Sequence, residues 1–188
     1  MNRVDQHAED WALLARAARD PAALTLLYER HRHYVFRVAW GILGEDAAAD
    51  DVVQEVFLRI HDGRMRADPR ARLTTWLYRV AINSAREQAR KRRRVWGDAQ
   101  AHDVLATIAD PTADPTRLDR LRDLGRALAA LPLRQREVVV LRYFEGFDTA
   151  ETAEILGCRQ GTVKAHLHRA TRTLKNQATS PMKQEKLT

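Results

Sequence analysis

The chain has 188 residues, 45% of them hydrophobic and 30% charged, with 32 Lys+Arg against 25 Asp+Glu and one cysteine. That length allows one domain or two small ones, and the apolar fraction excludes wholesale disorder. No apolar stretch approaches the roughly 20 residues that cross a bilayer, so no direct membrane insertion is expected. The opening MNRVDQHAED has no apolar core and is not expected to be a signal peptide. Cys158 alone excludes an internal disulfide framework and fits a reducing, cytoplasmic setting. The formal net charge of +7 points to a polyanionic partner.

Helical periodicity dominates, and the absence of two-residue alternation predicts an all-α protein without strands. A short helix is expected near Glu9 to Arg19. From Pro21 to Gly44 the apolar residues Leu24, Leu27, Tyr28, Val35, Val38 and Ile42 recur at helical steps. Pro21 after Asp20 suits a helix start and Gly44 a C-terminal cap. The next helix, about Asp46 to His61, carries Val52, Val53, Val56, Phe57 and Ile60 on one stripe. A third, about Arg72 to Arg94, buries Trp76, Leu77, Val80 and Ala81 and leaves a basic face. Further on, helices are expected from Leu118 to Leu131, Leu133 to Phe144, Thr149 to Leu156 and Gln160 to Lys175, with a turn at Gly157 and a polar tail.

Charge divides the chain in the same places. Glu45, Asp46, Asp50, Asp51 and Glu55 form an acidic run without a base. Arg64 to Arg94 holds eleven bases and two acids, Val95 to Arg120 five acids and two bases, and Arg159 to Lys175 five bases and no acid. With Pro111 and Pro115 in the acidic stretch, the pattern predicts two small helical domains, 8–94 and 118–176, joined by a flexible acidic linker 95–117 and followed by a tail 177–188.

Thr149 to Leu174 has the pattern of a helix-turn-helix. Ala153, Ile155 and Leu156 are placed to pack against Val163, Leu167, Ala170 and Leu174. The wheel then turns Gly161, Lys164, Ala165, His168, Arg169 and Arg172 outward, a basic, mostly short-chained face able to enter a major groove. A solvated hairpin would also carry lysines and arginines; a face without any acid favours DNA. A second basic face, with Arg79, Asn83, Arg86, Arg90 and Arg93, lies on the third long helix. Its arginines can neutralise phosphates and Asn83 can read a base edge. Trp76 and Tyr78 could stack on unpaired bases, although Trp76 falls on the apolar stripe.

These residues carry a family pattern. Asp51-Val-Val-Gln-Glu-Val-Phe-Leu-Arg59, then Thr75-Trp-Leu-Tyr-Arg-Val-Ala-Ile-Asn83 running into arginines, then Leu131 to Gly146 with Glu154-Ile-Leu-Gly157 and Gly161-Thr-Val-Lys164 resemble a bacterial sigma factor of the extracytoplasmic-function group. The resemblance spans about Leu24 to Leu174. It implies a subunit that binds core RNA polymerase (β and β′ subunits) through Asp51, Gln54, Glu55 and Leu58. It implies reading and melting of the minus-ten promoter element by Arg79, Asn83, Arg86, Arg90 and Arg93, helped by the loop Arg64 to Arg72 that would hold a flipped base. Contact with the minus-thirty-five element is implied for Arg159, Gln160, Thr162, Lys164, Ala165, His168, Arg169 and Arg172. The acidic linker Asp98 to Asp119 would enter the polymerase channel. The resemblance also implies a stress-response role and an anti-sigma factor that covers both modules and can tether the chain near the membrane. Ala165-His166 stands where the family commonly has Ser-Arg, and Thr171 where Arg is common, so base preferences are not carried over.

No catalytic arrangement and no cofactor is expected. At two-residue spacing His31 and His33, or His166 and His168, diverge on a helix and should not share a metal. Cys158 reads as a small packing residue, with a redox switch as the alternative. The other readings are a helix-turn-helix regulator that is not a sigma subunit, and a metal-dependent nuclease using His31, His33 and Asp50.

Overall fold

The computed structural model describes residues 3–63, 72–100 and 115–179. The loop 64–71, most of the acidic linker, the side chain of Arg93 and the end of the tail lie outside the described residues. Every regular element among those described is helical.

The first four helices are α1 (Arg3–Ala17), α2 (Pro21–Leu43), α3 (Asp46–His61) and α4 (Leu73–Gln100). Local chemistry sets their ends. Asp20 is the N-cap of α2, its Oδ1 accepting from the backbone N–H groups of Ala22 at 3.0 Å and Ala23 at 3.3 Å, and Pro21 follows at the first helical position. Gly44 ends α2 at φ 73° and donates its N–H to the Trp40 carbonyl, a left-handed cap that any Cβ would strain. The helix expected near Glu9 begins earlier, at Arg3, and α4 continues past Arg94 to Gln100.

These helices bury one stripe each: Leu13 and Ala17 from α1, Leu27, Val35, Val38 and Ile42 from α2, Val52, Val56 and Ile60 from α3, Leu73, Leu77, Ala81 and Ile82 from α4. Trp76 is half-buried against this core, 6.4 Å between ring centroids from Trp11.

The second module comprises α5 (Pro115–Ala129), α6 (Leu133–Val139), α7 (Thr149–Leu156) and α8 (Gln160–Thr179). The helix expected unbroken from Leu133 to Phe144 changes at Val140 into a π-helical turn, Val140–Phe144, closed by the Glu145 N–H on the Val140 carbonyl. A π turn holds more residues than an α turn and shifts the register of the residues beyond it. Val140 and Leu141 are buried while Tyr143 and Phe144 stay exposed.

The two modules are packed together. Val140, Leu141 and Ile155 join the core of the first helices, and Trp40 of α2 touches both that core and the cluster of Leu128, Leu131, Val139 and Ala170. Burying such a side chain is worth about 1.5–3 kcal/mol, so these apolar contacts favour the docked arrangement. Ile155 thus departs from the expectation that it packs on α8: it faces the first module. The cluster beneath the helix-turn-helix is instead Val138, Ala153 and Val163, with Leu156, Cys158 and Leu167 against it.

Candidate nucleic-acid interface

α7 starts on a capping box: Asp148 Oδ1 accepts from the N–H groups of Ala150 at 2.7 Å and Glu151 at 2.8 Å, and the Asp148 N–H donates to Glu151 Oε2 at 2.9 Å. Gly157 closes it at φ 63°, and α8 begins three residues later. Val163 and Ala170 are fully buried, which fixes the rotation of α8. Arg159, Gln160, Thr162, Lys164, Ala165, His168, Arg169 and Arg172 are all exposed, together with Gly161. The outward face predicted from the helical wheel is therefore assembled in full, and it holds no acid. Half-buried Cys158 sits in the turn, the packing position expected for it.

The basic face of α4 has a different environment. Arg79, Asn83 and Arg90 are exposed and Arg86 is half-buried; Arg79 and Arg86 are in addition engaged by the second module. Arg79 Nη2 donates to the Glu154 carbonyl at 2.8 Å, at the C-terminal end of α7 where the helix dipole favours a cation. Arg86 grips the fully buried Glu137 of α6, with Nη2 on Oε2 at 2.7 Å; Arg134 reaches the same oxygen at 3.3 Å. Arg86 Nη1 also donates to Asn83 Oδ1 at 3.1 Å. Lys91 pairs with Glu87 at 3.1 Å and Arg92 with Glu45 at 2.6 Å.

Tyr78 is buried rather than open for stacking. Its hydroxyl donates to Glu145, and Phe147 meets its ring at 4.7 Å and 86°. Burial first, then the hydrogen bond to Glu145, pushes the Tyr78 hydroxyl pKa up. The same carboxylate accepts from Arg37 Nε at 2.9 Å and Nη2 at 2.6 Å, and this raises the guanidinium pKa further. Arg136, whose pKa burial pushes down to about 10, spans the boundary by donating to the carbonyls of Ile42 and, at 2.7 Å, Ala129. Sequence reasoning missed Arg37, Glu137, Glu145 and Phe147. One signal was available: Glu137 lies three and four residues before Val140 and Leu141, an acid on an apolar stripe that must find a cation once buried.

Between α2 and α3, Asp51, Gln54 and Leu58 line an open groove with Leu24, Tyr28 and Phe57. Leu58 is 53% exposed. Glu55, expected to act with them, is paired with Arg59, which lies 3.8 Å from Glu87 on α4. The residues of the nuclease reading are separated: His31 is buried with Nε2 3.2 Å from Asp10 Oδ2, while His33 and Asp50 lie by a polar dimple with Arg32. Among the described residues no group of three or more His, Cys, Asp or Glu is placed to hold a metal ion, and no helix is long and apolar enough to cross a membrane.

Comparison with known proteins matches residues 27–95 to Sigma-70 region 2 and residues 121–174 to Sigma-70 region 4. The chain is 35% identical over 164 residues to the ECF RNA polymerase sigma factor SigL of Mycobacterium tuberculosis, covering 85% of this chain and 90% of that protein. Among solved structures it resembles CnrH in complex with the cytosolic domain of CnrY, with a TM-score of 0.66, 25% identity and coverage of 92% and 98%. It also shares the fold of the sigma factor RpoE of Bartonella quintana, solved with the anti-sigma factor NepR, with a TM-score of 0.59, 24% identity and coverage of 77% and 89%. The region 2 match removes the reading as a helix-turn-helix regulator unrelated to sigma subunits. With both sigma modules present in order, and a relative matched along most of both lengths, the chain belongs to the ECF RNA polymerase sigma factors, which serve in transcription initiation.

Proposed function

We propose that this sigma factor docks on the β and β′ subunits of core polymerase through Asp51, Gln54, Glu55 and Leu58. Arg79, Asn83, Arg86, Arg90 and Arg93 then engage the minus-ten element, and the eight α8-side residues from Arg159 to Arg172 engage the minus-thirty-five element. The observation that carries this reading is the α8 face, on which every assigned residue is exposed and no acid interrupts the cations. Phosphate contacts from such a face supply affinity, while short side chains beside them leave room for base edges. On the groove side, two polar residues and an exposed leucine suit a partner offering both charge and an apolar ridge.

Control by an anti-sigma factor, acting in the cytoplasm and tethered there near the membrane, completes the proposal. The solved relative CnrH is bound by the cytosolic domain of CnrY, and Leu26, Leu58, Tyr143 and Phe144 are exposed apolar side chains of the sort a protein partner covers.

The test is run-off transcription with purified core polymerase on a genomic fragment library. Discrete transcripts sharing upstream elements are expected, and their absence would reject the proposal. Replacing Gln54 and Glu55 together should reduce co-purification with core polymerase; unchanged recovery would reject the docking surface.

A further inference from the structure

Packing fixes which residue stands at the crown of α8. Val163 and Ala170 are fully buried, with Leu167 and Leu174 half-buried on the same line. At about 3.6 residues per turn the point opposite that line falls on Ala165. Ala165 is exposed, and so are its neighbours three and four positions away, Gly161, Thr162, His168 and Arg169. It lies in the second turn of α8, the part of a recognition helix that meets base edges. Gly161, one turn earlier, lets the helix come close: it has no positive φ, and a Cβ there would meet nothing within 4 Å. Neither backbone conformation nor packing inside the chain calls for a glycine at that place.

Alanine has neither a donor nor an acceptor on its side chain, so only one group in the major groove suits it. That group is the C5 methyl of thymine, the one apolar feature among the base edges. Serine, which the family commonly has there, would present a hydroxyl that both donates and accepts. Exchanging that hydroxyl for a methyl changes the kind of reading from hydrogen bonding to apolar contact.

We propose that Ala165 selects a thymine in the upstream element, its Cβ packing on the C5 methyl while Lys164 and Arg169 hold the helix in the groove. This rests on the assignment of the α8 face to the minus-thirty-five element made above. The methyl distinguishes thymine from cytosine and from both purines, so Ala165 is a specificity-determining residue although it carries no charge. An alanine present only as a good helix former would be blind to that methyl, and this difference can be measured.

The experiment uses holoenzyme assembled from the full chain and core polymerase, on promoters recovered from the genomic fragment library. Each thymine of the upstream element, on either strand, is replaced in turn by deoxyuridine, which removes the methyl and leaves every hydrogen-bonding group in place. In competition with the unmodified duplex, wild type should lose about fourfold in affinity at one position, the effect of exposing one buried methyl-sized group. Ala165→Gly should bind thymine and deoxyuridine equally there. Ala165→Ser, which keeps the helix and adds a hydroxyl, should shrink the same ratio. Circular dichroism of both variants should match wild type.

A wild-type ratio of unity at every thymine, or a ratio that both variants leave unchanged, would overturn the proposal. Recovered promoters that share no upstream thymine would overturn it too. Charge reversal at Lys164 and Arg169 separates this result from the reading beneath it. If that variant still selects the same promoters, the assignment of α8 falls and the methyl contact with it. If it loses them while deoxyuridine is tolerated throughout, α8 stays on the upstream element and only the thymine reading is lost.

Discussion

Arg86 of α4 and Glu137 of α6 form a bidentate ion pair across the boundary between the modules, the carboxylate fully buried and the guanidinium side chain 15% exposed. Removing one member of such a pair costs more than removing both, because the survivor is left charged and desolvated. Arg86→Met should therefore destabilise the chain by about 3 kcal/mol, near the low end for a buried pair because Arg134 still reaches Glu137. Adding Glu137→Leu should recover a large part of the loss. Thermal unfolding of the single and double variants measures the coupling; strictly additive effects would show that the pair contributes nothing.

Asn83 is exposed beside Arg86, its Oδ1 already accepting from that guanidinium. Asn83→Ala leaves the packing of α4 untouched. It should impair promoter opening more than initial binding. Permanganate reactivity of promoter thymines should fall while the footprint of the holoenzyme is retained; equal loss of both would reject the role.

Lys164 and Arg169 stand on the exposed face of α8. Reversing both charges should weaken selection of promoters with the upstream element, by about 1–3 kcal/mol for each base interaction removed and with a shallower salt dependence. Run-off assays at several salt concentrations read this directly, and unchanged promoter choice would reject the assignment.

His31 is a pH-sensitive point in the α1–α2 contact. Burial depresses its pKa below the ordinary 6.5, against an opposing pull from Asp10 and with Arg30 adding repulsion; Tyr34 is the other ionisable ring nearby. Because the folded imidazole resists protonation, the unfolded chain takes up the proton more readily. The stabilising contribution is complete above about pH 6.5 and declines as pH falls through the depressed folded value. Urea midpoints measured from about pH 8 to pH 5 should decline on the acid side, and His31→Gln should flatten that decline.

Within each helix, the residues carried the information needed. The three-and-four spacing of Leu27, Val35, Val38 and Ile42, the cap at Asp20, the left-handed glycines at 44 and 157 and the acid-free outward face of α8 all arise from interactions between near neighbours. Periodicity and capping are local, so the helix-turn-helix, the basic face of α4 and the family pattern could be read from sequence. Helix ends away from a cap were less legible, as the extra turns at Arg3 and Gln100 show.

Partnership between distant residues was another matter. Nothing near Glu145 in the chain announces that its carboxylate will meet Arg37 and Tyr78, and Ile155 carried no mark that it would leave α8 for the first module's core. Glu145 caps the π turn Val140–Phe144 and Ile155 lies beyond it, in α7. A side chain's periodic position tells which way it faces from its own helix, and the identity of what it faces is a property of how the helices dock. For that physical reason the cations of α4 were visible beforehand, while their engagement by Glu137 and Glu154 emerged only from the folded arrangement.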